Sequence, residues 1–264
     1  MIFNSINKII SSENPEKYLD FFIVGVQKGG TTALGHFLRN HPEVGMTHKK
    51  ELHFFDNEKF FSKNYKKNYN ELHKNFDFNS NKKVYGEKTP IYMYWDQCIE
   101  RIWKYNNKVK LIAILRNPID RAFSHWNMEI DRKKETADFK SCIKYELDRI
   151  KEGSYIQHRV RSYVDRGFYY NQITRIYRYF KKDQVLFIKY EDFKNSQELS
   201  LVKIFDFLKI NNKIKIKFAE VNKRKYHSKI SKSEKNLLYE IYKNDITKTE
   251  KILDWDCSDW KDLK

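Results

Sequence analysis

The sequence predicts a single α/β domain in three layers, with helices over both faces of a central parallel sheet. Three observations predict it. Short apolar runs of strand composition recur near residues 21, 84, 109 and 185 and alternate with stretches of helical apolar spacing. At 264 residues, 40% hydrophobic and 16% aromatic, the chain has material for one sizeable core and no need of a second. No internal repeat or Gly/Pro/Ser-rich linker divides it. Residues 1–20 are expected as an N-terminal extension and residues 21–264 as the domain.

Taken in order, Phe21 to Val24 is a buried strand, Gly29 and Gly30 permit a tight loop, and Thr31 to Arg39 carries helical spacing at Ala33, Leu34, Phe37 and Leu38. Asn40-His41-Pro42 ends that helix, because the residue before proline is pushed out of the helical region. In Glu51-Leu52-His53-Phe54-Phe55-Asp56 polar residues interleave with apolar ones, which suits a loop anchored by aromatics beside a cleft. Asn57 to Lys83 has weak periodicity and reads as short helices and loops over the mouth of a site. Its aromatics suit sugar stacking and core packing equally.

Val84 to Glu87 is a short strand leading to a turn at Pro90. Val109 to Leu115 is the clearest buried strand. It ends at Arg116, and Asn117-Pro118 supplies an N-cap and a proline at the first helical position, with Ser124 about two turns further on. Phe139, Ile143, Leu147 and Ile150 mark a helix stopped near Gly153; Tyr169, Ile173, Ile176, Tyr177 and Phe180 mark the next. Val185 to Tyr190 is a strand. Asn195-Ser196-Gln197-Glu198 opens a helix through Leu208 by a capping-box pattern, and Ser231-Lys232-Ser233-Glu234 opens the C-terminal helical region in the same way.

Composition bounds the partners. No apolar run approaches the roughly 18 residues of a membrane span, and Met1 to Asp20 lacks the continuous apolar core of a signal peptide. Cys98, Cys142 and Cys257 are odd in number and show no CxxC spacing, so reduced thiols, a cytoplasmic location and no cysteine zinc site are expected. A grouping of His41, His48, His53 and Asp56 fits no standard zinc spacing, and no metal is expected. The net charge of +17 suits anionic partners: a nucleotide, an acidic glycan, nucleic acid or membrane headgroups. The lysines are dispersed, however, and Lys, Asn and Ile abound throughout as AT-rich codon usage would produce. Charge alone supports no more than a noncatalytic polyanion binder.

The sharper signal is Gly25-Val26-Gln27-Lys28-Gly29-Gly30-Thr31-Thr32. A strand, a glycine loop and a helix N-terminus make a phosphate cradle from free backbone N–H groups, the positive end of the helix dipole, a lysine and two hydroxyls. Gly25 and Gly30 keep the spacing of the nucleoside-triphosphate P-loop, G-x-x-x-x-G-K-[ST], but Thr31 stands where its lysine belongs. The fold is therefore P-loop-like, while a nucleotide or small-molecule kinase is disfavoured. Lys28, inside the loop, is placed to reach an oxygen that bridges a phosphate to a transferred group. Lys28, Lys88 and Arg116 all fall at carboxyl ends of strands, where ligands sit in such sheets.

The same stretch resembles the 5′-phosphosulfate loop of sulfotransferases that use 3′-phosphoadenosine 5′-phosphosulfate (PAPS), with the likeness strongest to the heparan sulfate and bacterial carbohydrate branch. The likeness runs from about Phe21 to Trp260. Leu111 to Pro118 with Arg121 and Ser124 resembles the family's 3′-phosphate segment, in which Arg116 and Ser124 would hold the donor's 3′-phosphate. Glu51-Leu52-His53-Phe54-Phe55-Asp56 is similar to a segment of heparan sulfate 3-O-sulfotransferases whose Glu is a general base. That assigns Glu51 as base, with His53 as its rival because its unperturbed pKa near 6.5 suits proton transfer. Lys28 would stabilise the bridging oxygen, and Lys88, in the matching Glu87-Lys88-Thr89-Pro90, the sulfuryl oxygens or the acceptor. Gly29, Gly30, Thr31 and Thr32 complete the donor loop. Asp165-Arg166-Gly167-Phe168-Tyr169-Tyr170 resembles an R-G-x-Y segment of bacterial members. Lys223 and Tyr226 fit a K-G-F-Y donor-binding loop in which Arg224 replaces the glycine and Lys225 the aromatic. The R-K-G-x-x-G motif of cytosolic small-molecule sulfotransferases is absent. The resemblance implies sulfuryl transfer from PAPS to a hydroxyl acceptor, a glycan or glycoconjugate, by chemistry that needs no metal; no specific nucleic acid partner and no transmembrane segment is expected.

Overall fold

The computed structural model describes residues 17–62, 68–153, 157–214 and 226–262. Among them the strands are β1 (Phe21–Gly25), β2 (Val44–Met46), β3 (Val84–Lys88), β4 (Lys110–Leu115) and β5 (Val185–Lys189). They form one sheet in the order β2-β3-β1-β4-β5, every pairing parallel. The register sets Ile23 of β1 beside Lys88 of β3 and Gly25 beside Ala113 of β4.

Ten helices connect and cover the strands: α1 (Thr31–Arg39), α2 (Asn70–His73), α3 (Cys98–Tyr105), α4 (Pro118–Asp131), α5 (Phe139–Lys151), α6 (Tyr169–Tyr177), α7 (Tyr190–Asn195), α8 (Gln197–Leu208), α9 (Lys232–Leu253) and α10 (Ser258–Lys261) among the described residues. Successive strand side chains point to opposite faces. Phe22, Val24, Leu111, Ala113 and Leu115 accordingly join the core beneath α3, α4, α6 and α9, while Phe21, Ile23, Ile112 and Ile114 join the core beneath α1, α7 and α8. The predicted three-layer, P-loop-like α/β/α architecture stands.

Three local expectations change. The sheet has a fifth strand, β2, at its edge; it is three residues long and centred on Gly45, too short and too weakly apolar to stand out in the sequence. The capping box read in Asn195-Ser196-Gln197-Glu198 does not form: Asn195 is the last residue of α7, and Ser196, the N-cap of α8, makes no side-chain cap bond. Ser196 closes α7 by donating its N–H to Asp192 O at 2.7 Å, and that junction holds its backbone away from a capping geometry. In the stretch from 57 to 83, Phe60, Phe61, Tyr69, Phe76 and Phe78 are partly buried and pack against the core, Phe60 stacking on buried Phe54 at 4.7 Å, so for these five the even choice tips towards core packing; Tyr65 lies outside the described residues. Asn117 and Ser231 cap α4 and α9 as read, the latter with a complete capping box. Among the described residues no helix is long and apolar enough to cross a membrane.

Candidate functional site

The carboxyl ends of β1, β3 and β4 bring the predicted residues to one edge of the sheet. After β1 the chain turns sharply: Lys28 (φ 74°) takes a left-handed backbone, which for a residue with a Cβ costs ~1 kcal/mol or more. Gly30 (φ 90°) does so without that penalty, and a Cβ on Gly29 would lie 2.4 Å from Ile114 O, so only glycine lets the loop lie against β4. Gly30 is the N-cap of α1, whose first turn has neither a side-chain cap nor an acidic residue. The N–H groups of Thr31 and Thr32 thus open a helix terminus suited to an anion.

From β4, Arg116 Nη1 donates to Lys28 O at 3.3 Å, tying that strand end to the loop. The guanidinium lies 4.8 Å from the Tyr190 ring centre, and its backbone carbonyl accepts the Tyr169 hydroxyl at 2.7 Å. Burial pulls the Arg116 pKa down, but Tyr226, Asp120 and Tyr190 beside it raise it on balance. Tyr226 is thus brought to Arg116, with its ring edge-on to Phe123 at 5.6 Å. Ser124 is buried on α4. Lys223 and Arg224 lie outside the described residues.

At the end of β3 a second group assembles. Lys88 is buried, and its Nζ donates to Glu51 Oε1 at 3.1 Å; Glu51 Oε2 faces His53 Nε2 at 3.3 Å; His53 Nδ1 meets Asp56 Oδ2 at 2.9 Å; Arg159 bonds the same Asp56. The backbone of this loop is pinned by β3. Leu52 N–H donates to Glu87 Oε1 at 3.2 Å and to Thr89 Oγ1 at 3.1 Å. Burial pushes the Glu87 carboxyl up to about 7.

The charges in this group set one another. Burial pushes the Glu51 carboxyl up, but His53 and Lys88 outweigh it and hold the pKa below the ordinary value. Asp56 first, then Glu51, raise the His53 imidazole to about 9. The expectation of a His53 pKa near 6.5 is therefore corrected: between two carboxylates the ring is protonated at neutral pH. Burial lowers the Lys88 pKa and Glu51 opposes the fall. His41 takes no part; its ring bonds Asn211 O at 2.9 Å and packs on Phe205.

One edge of the sheet thus holds a helix-terminal anion cradle beside an ionised carboxylate flanked by two cations. Residues 19–263 match the family model for a sulfotransferase domain. The chain belongs to the sulfotransferase family. Over 162 residues it is 32% identical to heparan sulfate glucosamine 3-O-sulfotransferase 5 of Mus musculus, covering 61% of this chain and 45% of that protein. Over 230 residues it is 27% identical to heparan sulfate glucosamine 3-O-sulfotransferase 3B1 of Homo sapiens, covering 87% of this chain and 56% of that one. The chain spans about half the length of these curated relatives. Its fold is shared with a sulfotransferase from Alicyclobacillus acidocaldarius, at a TM-score of 0.79 and 23% identity over 93% of this chain and 100% of the other.

Within this sulfotransferase domain, sequence reasoning missed four contributors. Arg159 carries no motif. Gln27 sat unremarked inside the loop, yet accepts a hydrogen bond from Arg166 Nη1. Tyr169 and Tyr190, which hold Arg116 by its carbonyl and its guanidinium face, read only as a helix residue and a strand end; the R-G-F-Y segment was the one signal that could have drawn attention to Arg166 and Tyr169.

Proposed function

We propose that the protein moves the sulfuryl group of PAPS to a hydroxyl of a carbohydrate acceptor, with Glu51 as general base. The observation that carries this is the Glu51–Lys88 pair, 3.1 Å apart at the end of β3, which neighbours the strand feeding the anion loop. Family membership and relatives named for heparan sulfate support the reaction class and a glycan acceptor.

When bound, PAPS supplies the activated sulfuryl group. The residues present fit such a donor: the glycines let the loop lie against β4, the α1 terminus carries no acid, and Arg116 offers a fork for phosphate oxygens. Lys28, Gly29, Gly30, Thr31 and Thr32 would hold its 5′ side, and Arg116, Ser124 and Tyr226 its 3′-phosphate. Glu51, kept ionised by His53 and Lys88, takes the acceptor hydroxyl's proton on a carboxylate oxygen. His53, already protonated, orients that carboxylate and does not compete as base, and Lys88 holds positive charge where negative charge would gather.

The test is calorimetric titration with adenosine 3′,5′-bisphosphate against ATP with magnesium, on the wild type, Lys28→Ala and Arg116→Ala, joined to PAPS turnover on a panel of heparan-type oligosaccharides. Magnesium-independent bisphosphate binding, weakened by both substitutions, is expected. Glu51→Gln should keep that binding and lose about 10²- to 10⁴-fold in turnover. Preference for ATP–magnesium, or full turnover in Glu51→Gln, would overturn the reading.

A further inference from the structure

A chain of polar contacts joins the anion loop to the base group, and two arginines from one distant segment make it. Arg166 lies on a 3-10 turn, Asp165–Gly167, and is buried. Its Nη1 donates to Gln27 Oε1 in the loop; its Nη2 donates to the carbonyls of His158 at 3.2 Å and Arg159 at 2.9 Å. The Arg159 side chain then reaches Asp56 twice, Nη1 to Oδ2 and Nη2 to the backbone carbonyl, and lies over the Trp95 ring at 4.6 Å. Asp56 holds His53, and His53 faces Glu51.

The turn that carries Arg166 is itself fixed from three sides. Glu146 accepts Val164 N–H at 2.7 Å and Asp165 N–H at 2.8 Å; the Tyr242 hydroxyl donates to Val164 O at 2.7 Å; the Tyr94 hydroxyl donates to Asp165 Oδ2 at 2.6 Å while its ring lies 4.9 Å from the Arg166 guanidinium. A rigid turn thus grips the donor loop with one guanidinium nitrogen and the Arg159 backbone with the other. The loop end of this chain is one hydrogen bond, Arg166 to Gln27, and the base end is two, Arg159 to Asp56, with the Arg166 guanidinium as the link between them.

We infer that Arg166 and Arg159 are positioning residues that couple donor binding at the Gln27 loop to the placement of the Glu51–His53–Asp56 group. This rests on the reading of that loop as the donor site. Coupling is reciprocal in binding free energy, so a change on the base side must be felt by a ligand on the loop side.

The experiment measures the dissociation constant of adenosine 3′,5′-bisphosphate by calorimetry for the wild type, Arg159→Gln, Gln27→Ala and the double variant. Thermal unfolding of each confirms folding. The two sites are chosen because neither side chain is buried, whereas Arg166→Gln empties a buried position and can fail to fold. Arg159→Gln is expected to weaken bisphosphate binding by about fivefold, although its contacts lie with Asp56 and Trp95. Gln27→Ala should weaken it by a similar factor. The double variant should bind no more weakly than Gln27→Ala alone, since the connection is already cut. An affinity for Arg159→Gln within twofold of wild type, or effects that multiply in the double variant, would overturn the coupling. Absence of bisphosphate binding in the wild type would instead remove the donor reading, and the coupling with it.

Discussion

His53 is held between Asp56 and Glu51 with its backbone in the left-handed region (φ 53°), so the fold bears a backbone cost to keep an imidazolium there. A His whose pKa rises from 6.5 to about 9 on folding lends stability that is complete below pH 6.5 and lost as pH climbs through about 9. Its side chain is 45% exposed, so solvent screening reduces the effect to about 1 kcal/mol. Thermal unfolding from pH 6 to 9.5 should therefore show a downward slope that His53→Gln flattens; an unchanged slope in the variant would place the titration elsewhere. Much of this group was legible at this scale, since Glu51, His53 and Asp56 fall within six residues and Lys88 ends a recognisable strand. Arg159 was not legible, because its contact with Asp56 spans 103 residues and that of Arg166 with Gln27 spans 139. Spacing along the chain carries no record of such pairs.

At the scale of elements, two helix caps separate stability from function. Ser231 caps α9 locally, through its own hydroxyl and Glu234. The α6 terminus has no cap of its own; Asp245 from α9 accepts the N–H groups of Tyr169 at 2.8 Å and Tyr170 at 3.2 Å. Loss of either cap costs about 1 kcal/mol, near 2–4 °C in melting temperature for a chain of this size. The consequences for the site differ, because Tyr169 also donates its hydroxyl to Arg116 O. Ser231→Ala should lower the melting temperature and leave bisphosphate affinity unchanged. Asp245→Ala should lower both, and equal affinity in the two variants would break the proposed line from α9 to Arg116. The Ser231 cap was readable because its pattern is local. The Asp245 cap was not, since it bridges two helices that meet only in the folded chain.

At the scale of the whole molecule, alternation of strands and helices was enough to predict a parallel sheet. The order β2-β3-β1-β4-β5 was beyond the sequence, because it depends on which way each crossover packs and not on the strands themselves. Charge is the other molecular property, and here the structure favours a plain account. The excess of +17 is dispersed, and many of its ion pairs are short-range helix pairs between solvated groups, such as Lys74–Glu71, Lys104–Glu100 and Lys243–Glu240. Pairs of that kind contribute at most about 1 kcal/mol each, so self-repulsion among the excess cations is the stronger of the two effects that salt can change. Raising sodium chloride from about 20 to 200 mM shortens the screening length from roughly 20 Å to under 10 Å. The melting temperature should therefore rise by a few degrees, about 2–4 °C for each kcal/mol gained in a domain of this size. Chloride is the salt to use, because sulfate and phosphate strengthen burial generally and would also compete for the anion loop. A fall in melting temperature with chloride would mean that the surface ion pairs act as a stabilising network, and the dispersed lysines would then need a structural explanation in place of a compositional one.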